Sequence, residues 1–169
     1  ITHQMAHPLD IGRFSLTVAE NRQTYFRNDW TNEFGPVVMK IPLFFWLFFL
    51  GSVFLFNHMI KTLAKKEKII LTVSYVIFLT GLIFSRYSSS SLLNGNNGIS
   101  FLVYFGGIVL LFACFGYFYC KRYKEKNVSV FKEFEFSYIL YFILLTMTII
   151  GARGGIRLIM ILGAVSPIA

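Results

Sequence analysis

The chain has 169 residues, of which 56% are hydrophobic and 14% charged, with a formal net charge of +8. A soluble domain of this size is about one quarter charged, and here the apolar residues gather in blocks of about twenty, the length that crosses ~30 Å of hydrocarbon. The composition therefore excludes an ordinary soluble domain and points to an all-α, polytopic helical membrane protein. Nor does the charge point to nucleic acid, because nine of the sixteen basic residues sit in two short stretches, 61–68 and 121–136, between apolar blocks. Such clustering is the signature of loops held on the cytoplasmic side of a membrane.

Residues 1–36 are polar and show no sustained period, so they are expected to form an external loop segment with short helical turns. Asn28-Asp29-Trp30 suits the start of a short helix leading into the first span, and Trp30 and Phe34 suit a membrane interface. Spans are predicted at about 37–60, 69–85, 101–120 and 137–152, with a fifth, 158–169, running to the end of the chain. Lys40 and Pro42 stand near the start of the first, where a lysine can snorkel and a proline is tolerated. The loop between the second and third spans holds Ser88–Ser91 and Asn94-Gly95-Asn96-Asn97-Gly98; it is turn-rich and carries no acid. With both basic loops inside, that loop, residues 1–36 and the Arg153–Arg157 turn all face out. Glu20 and Arg157 then share a side, with 136 residues between them.

Two groups of residues could carry chemistry. Glu20 is one of eight acidic residues. By itself it reads as a solvated loop carboxylate, and Asp10, Asp29 and Glu33 stand at no recognisable metal-ligand spacing from it. Arg153 and Arg157 are at helical spacing with Gly154 and Gly155 between them. An ionisable side chain at mid-membrane costs roughly 2.5–3.5 kcal/mol and is a functional candidate for that reason. Guanidinium groups beside exposed glycine amides suit a phosphate; the bland alternative is a pair that snorkels at a helix end. Arg86 is a weaker version of the same idea, better read as an interfacial anchor. His3, His7 and His58 form no ligand set, and Thr17 and Ser15 have no base beside them in sequence. Cys114 and Cys120 are six residues apart, on different faces of a helix, and read as small hydrophobes. Asn127-Val128-Ser129 is a glycosylation acceptor pattern, but in a loop expected to face the cytoplasm.

Ser15-Leu16-Thr17-Val18-Ala19-Glu20 resembles the Thr/Ser-Val/Ile-x-Glu motif in the last large external loop of the oligosaccharyltransferase catalytic subunit. Ala152-Arg153-Gly154-Gly155-Ile156-Arg157-Leu158-Ile159-Met160, leading to Pro167, resembles the arginine motif farther along that family. Each motif is short; their order, common side and intervening spans make the pair more specific, and the likeness covers essentially the whole chain, in an archaeal style. The resemblance implies part of the transmembrane region of a GT-C glycosyltransferase. Such an enzyme moves an oligosaccharide from a dolichyl phosphate or pyrophosphate carrier to the asparagine of Asn-x-Ser/Thr in an acceptor polypeptide. It further implies that Glu20 lies beside a divalent metal, Mn²⁺ or Mg²⁺, and the acceptor amide. Thr17 would lie near the acceptor peptide, and Arg157, assisted by Arg153, would contact the carrier phosphate. The remaining metal ligands would lie outside this chain.

Three departures accompany the resemblance. The stretch between the motifs is longer than in bacterial and eukaryotic relatives by about one helical hairpin, which makes Arg86 a rival to Arg157. Asn32 stands where bacterial members carry an arginine that demands an acidic residue before the acceptor asparagine, so no such demand is expected. The family's earlier aspartates and its Trp-Trp-Asp-type motif do not occur in the chain, which is expected to be a fragment and inactive alone. Two rivals stay open: another GT-C transferase using a lipid-phosphate sugar, and a non-catalytic membrane subunit or transporter.

Overall fold

A computed structural model describes residues 24–33, 37, 38, 41–124, 134–155, 159, 161 and 162. The architecture is helical. A π-helical turn, Phe26–Trp30, runs into a single α-helical turn, Thr31–Glu33. Two antiparallel two-residue strands follow, β1 (Val37–Val38) and β2 (Ile41–Pro42), and then four helices: α1 (Leu43–Met59), α2 (Lys65–Phe84), α3 (Gly98–Lys124) and α4 (Phe136–Gly154). Three of these, α2, α3 and α4, are long and apolar enough to cross a membrane, and α1 is a shorter apolar helix. Among the described residues past Gly155, Ile159 and Leu162 are buried.

The helix ends differ from the expected spans for local reasons. The first helix begins at Leu43, not 37. Pro42 has no N–H to give to a preceding turn and forces Ile41 into an extended conformation, so the backbone pairs as β1–β2 before the helix can start. Helix α2 begins at Lys65, four residues ahead of the expected 69, because Glu67 in its first turn is held by cations from α3. Helix α3 runs from Gly98 to Lys124 rather than 101–120. Asn97 caps its start by accepting the Ser100 N–H at 3.0 Å, and Lys121, Arg122 and Lys124 in the last turn complement the helix dipole.

The turn between α2 and α3 is built largely from its own side chains. Asn94 Oδ1 accepts the N–H groups of Asn96 and Asn97, the Gly95 N–H reaches Ser100 Oγ, and Gly95 has φ +84. A side chain at Gly95 would be strained there and would also collide with Arg86.

The helices run alternately up and down, so the bundle has two ends. One end gathers the start of α1, the end of α2, the start of α3 and the end of α4; Phe26 meets both Phe45 and Phe84 there, with ring centroids 4.9 and 4.5 Å apart. The other end is basic. Glu67, 5% exposed, accepts from Lys121 Nζ at 3.2 Å and Arg122 Nη2 at 2.7 Å. Between the ends, α2 packs chiefly on α3. Gly81 and Gly107 let those two backbones come close, the arrangement that small residues permit in membrane helix pairs. Phe56 stacks on Tyr75 at 4.2 Å, and Phe142 meets both rings edge-on at 5.6 Å, tying α1, α2 and α4 together.

Candidate functional site at the Thr24 end of the bundle

The segment that begins at Thr24 folds over the end of the bundle. Thr24, 1% exposed, donates its hydroxyl hydrogen to Ala152 O at 2.7 Å, with Arg153 O farther off at 3.4 Å. Trp30 Nε1–H donates to Thr24 Oγ1 at 3.3 Å. The Phe26 and Arg27 N–H groups donate to the carbonyls of Arg86 and Tyr87 at 2.9 and 3.1 Å. Asp29 Oδ2 accepts the Tyr25 N–H at 2.8 Å and closes the first turn. These bonds satisfy polar groups that burial would otherwise leave unpaired, and they join the N-terminal segment to α4 and to the α2–α3 turn.

Two arginines converge beneath this cover. Arg86, 6% exposed, has its guanidinium 5.0 Å from the centre of the Tyr25 ring. Arg153, half-buried in the last turn of α4, stands 4.1 Å over the Tyr104 ring of α3. The aromatic faces offset part of the cost of withdrawing the cations from water. Arg86 lies near enough to Arg153 for their charges to oppose each other. Arg153 Nε is buried with no hydrogen-bond partner among the described residues.

Below Arg153 an apolar cleft of about 760 Å³ opens between α3 and α4. Its walls include Ile108 and Phe115 on α3 and Phe142 and Ile150 on α4, and Phe56 and Tyr75 form its floor. Tyr104 is one helical turn above Ile108, and Arg153 is one turn above Ile150. The cation–π pair therefore stands about one helical turn beyond the lining of the cleft, at its Thr24 end.

No protein-family model, no curated protein and no solved structure matches this chain.

Of the residues singled out in the sequence, Arg153 belongs to this site. Thr17, Glu20 and Arg157 lie outside the described residues. Gly154 and Gly155 mark a break: α4 stops at Gly154, Gly155 is extended, and a Cβ at either would meet nothing within 4 Å. Among the described residues no three His, Cys, Asp or Glu side chains come together as a metal site would need, and the Asp29 carboxylate is engaged by its own turn. The described residues thus do not supply a divalent-metal site. Sequence reasoning missed Thr24, Tyr25 and Tyr104, since a threonine or tyrosine carries no spacing signal and its partners are remote in the chain. Arg86 was visible as a cation at a span end, but not as one buried beneath a cover.

Proposed function

We propose that this chain is part of the membrane region of a glycosyltransferase that draws its sugar from a lipid-phosphate or lipid-pyrophosphate carrier. Within that class, the oligosaccharyltransferase kind, which glycosylates the asparagine of Asn-x-Ser/Thr, fits the two motifs best. One observation carries the reading: a half-buried arginine with an unused donor stands one helical turn beyond the end of an open apolar cleft. A prenyl-phosphate carrier needs both halves, hydrocarbon for the tail and cations for the phosphate.

Chain length lends support. Glu20 is four residues before Thr24, and Arg157 is four after Arg153. Four residues reach about 14 Å at most, less than the length of α4, and Thr24 is bonded to Ala152. The tether is short enough for Glu20 and Arg157 to act at one end, as the reading requires. In the reaction, the asparagine amide nitrogen attacks the anomeric carbon, and the bond from that carbon to the phosphate oxygen breaks. Negative charge gathers on the departing phosphate, where Arg157 and Arg153 stabilise it. The Glu20 carboxylate accepts a hydrogen bond from the acceptor amide, raises its nucleophilicity and takes the N–H proton released as the new C–N bond forms.

For Arg86 the structural reading is favoured. It is buried, with its aliphatic carbons against Gly95 and its guanidinium over Tyr25, which makes it a support for the site rather than a phosphate ligand. The deciding experiment uses the full-length parent protein, its lipid-linked oligosaccharide and an Asn-x-Thr peptide. Glu20→Gln and Arg157→Ala should each lower transfer by roughly 100-fold or more, as loss of a transition-state contact does. Near-normal transfer in both variants would remove the assignment and leave a non-catalytic membrane subunit as the better description.

A further inference from the structure

At the opposite end of the bundle, a second cavity of about 540 Å³ lies in the groove where α1, α2 and α4 meet. Its two halves differ in chemistry. Towards the middle of α1 the walls are apolar, with Leu55 and Phe54, the latter 73% exposed. Towards the basic end the walls are His58, Lys61 and Lys68, with Tyr138 opposite, its ring 5.9 Å from that of His58. Asn57, also at the groove, donates from Nδ2 to Thr72 Oγ1 at 3.2 Å, which fixes α1 against α2 there.

The nearest carboxylate in sequence, Glu67, is already taken by Lys121 and Arg122 from α3. Neither Lys61 nor Lys68 has an ion-pair partner among the described residues. With these helices in a bilayer, the groove opens towards hydrocarbon along α1 and ends in cations at headgroup level. A neutral lipid would leave those cations unpaired, and a free anion would leave the apolar half unfilled. From this we infer that the groove binds a phospholipid with an anionic headgroup, its phosphate against Lys61 and Lys68 and one acyl chain along Phe54 and Leu55. This site is separate from the Arg153 cleft and does not depend on the transferase reading.

The test uses the whole chain in neutral detergent, with phosphatidylglycerol or phosphatidylcholine added and retained lipid counted by native mass spectrometry. One phosphatidylglycerol per chain should persist, while phosphatidylcholine should not. Replacing both groove lysines with Lys61→Gln and Lys68→Gln should weaken retention by roughly 30-fold, the worth of two lysines at a membrane surface. Lys65→Gln with Lys66→Gln removes the same charge from exposed positions outside the groove and should leave retention within a few-fold of the parent. Equal losses from the two pairs would overturn the site in favour of diffuse surface charge. Equal retention of both lipids, or displacement by millimolar inorganic phosphate, would overturn it as well.

Discussion

Replacing Gly81 by alanine tests the packing that holds the bundle together. A Cβ on Gly81 would lie 2.7 Å from the Val103 carbonyl oxygen, a backbone atom of α3 that has no rotamer with which to escape. Relief requires α2 and α3 to move apart along their principal interface, and overpacking of this kind costs about 1–3 kcal/mol. Against that, alanine is better than glycine in a helix by about 1 kcal/mol. The clash should win, leaving Gly81→Ala about 1 kcal/mol less stable. Gly107→Ala is gentler: its Cβ would stand 3.1 Å from Phe78 Cα and 3.3 Å from Ile77 O, so a shift of a few tenths of an ångström suffices and the two effects should nearly cancel. Gly106→Ala meets nothing within 4 Å and should hold or gain stability. The measurement is reversible unfolding of the full chain in mixed micelles, followed by the fluorescence of Trp30 and Trp46. The expected order is Gly106→Ala, then Gly107→Ala, then Gly81→Ala as the least stable. If Gly81→Ala matched or exceeded Gly106→Ala, the close α2–α3 approach would be refuted.

Two further outcomes concern the ends of the bundle. Glu67→Gln should cost about 1–3 kcal/mol, below the full penalty for breaking a buried pair, because Lys121 is 45% exposed and can turn to water; a double-mutant cycle with Arg122→Gln should show coupling, and additive losses would argue against the pair. Thr24→Val keeps the shape but removes the bond to Ala152 O and the acceptor for Trp30 Nε1–H, a loss of about 1–3 kcal/mol. Amide hydrogen exchange at Phe26 and Arg27 should then rise while exchange in mid-α2 stays unchanged; equal rises in both would mean the cover is not a separate unit.

The parts of this fold that are legible in the sequence are those governed by local chemistry. Apolar blocks specify helices, Asn94-Gly95 specifies a turn, and clustered lysines mark one set of ends. What escaped depends on partners far along the chain. Lys65–Lys68 reads as a basic loop because nothing local shows that Glu67 is neutralised by residues 54 and 55 positions away. The late start of α1 was missed at Pro42, which reads as tolerated near the start of a span at 37 although it has no N–H to give to a turn begun there. At the candidate site, Arg153 stood out because a cation at a span end is costly. Tyr104 and Thr24 did not, since their roles come from contacts with α4 that span 49 and 128 positions.

The hydrogen bond between Thr24 and Ala152 also bears on the order in which the molecule is assembled. The α2–α3 hairpin closes through a short turn whose polar groups are mostly satisfied from within, so its contacts are local and cost little chain entropy. The cover over the arginines joins residues 128 apart, and that closure must wait until α4 has left the ribosome and entered the bundle. Thr24 then returns to a platform that did not exist when its own segment was made. The end of the bundle that holds Arg153 thus closes after the α2–α3 hairpin, and a chain that stalls before α4 would carry a formed hairpin but no Arg153 site.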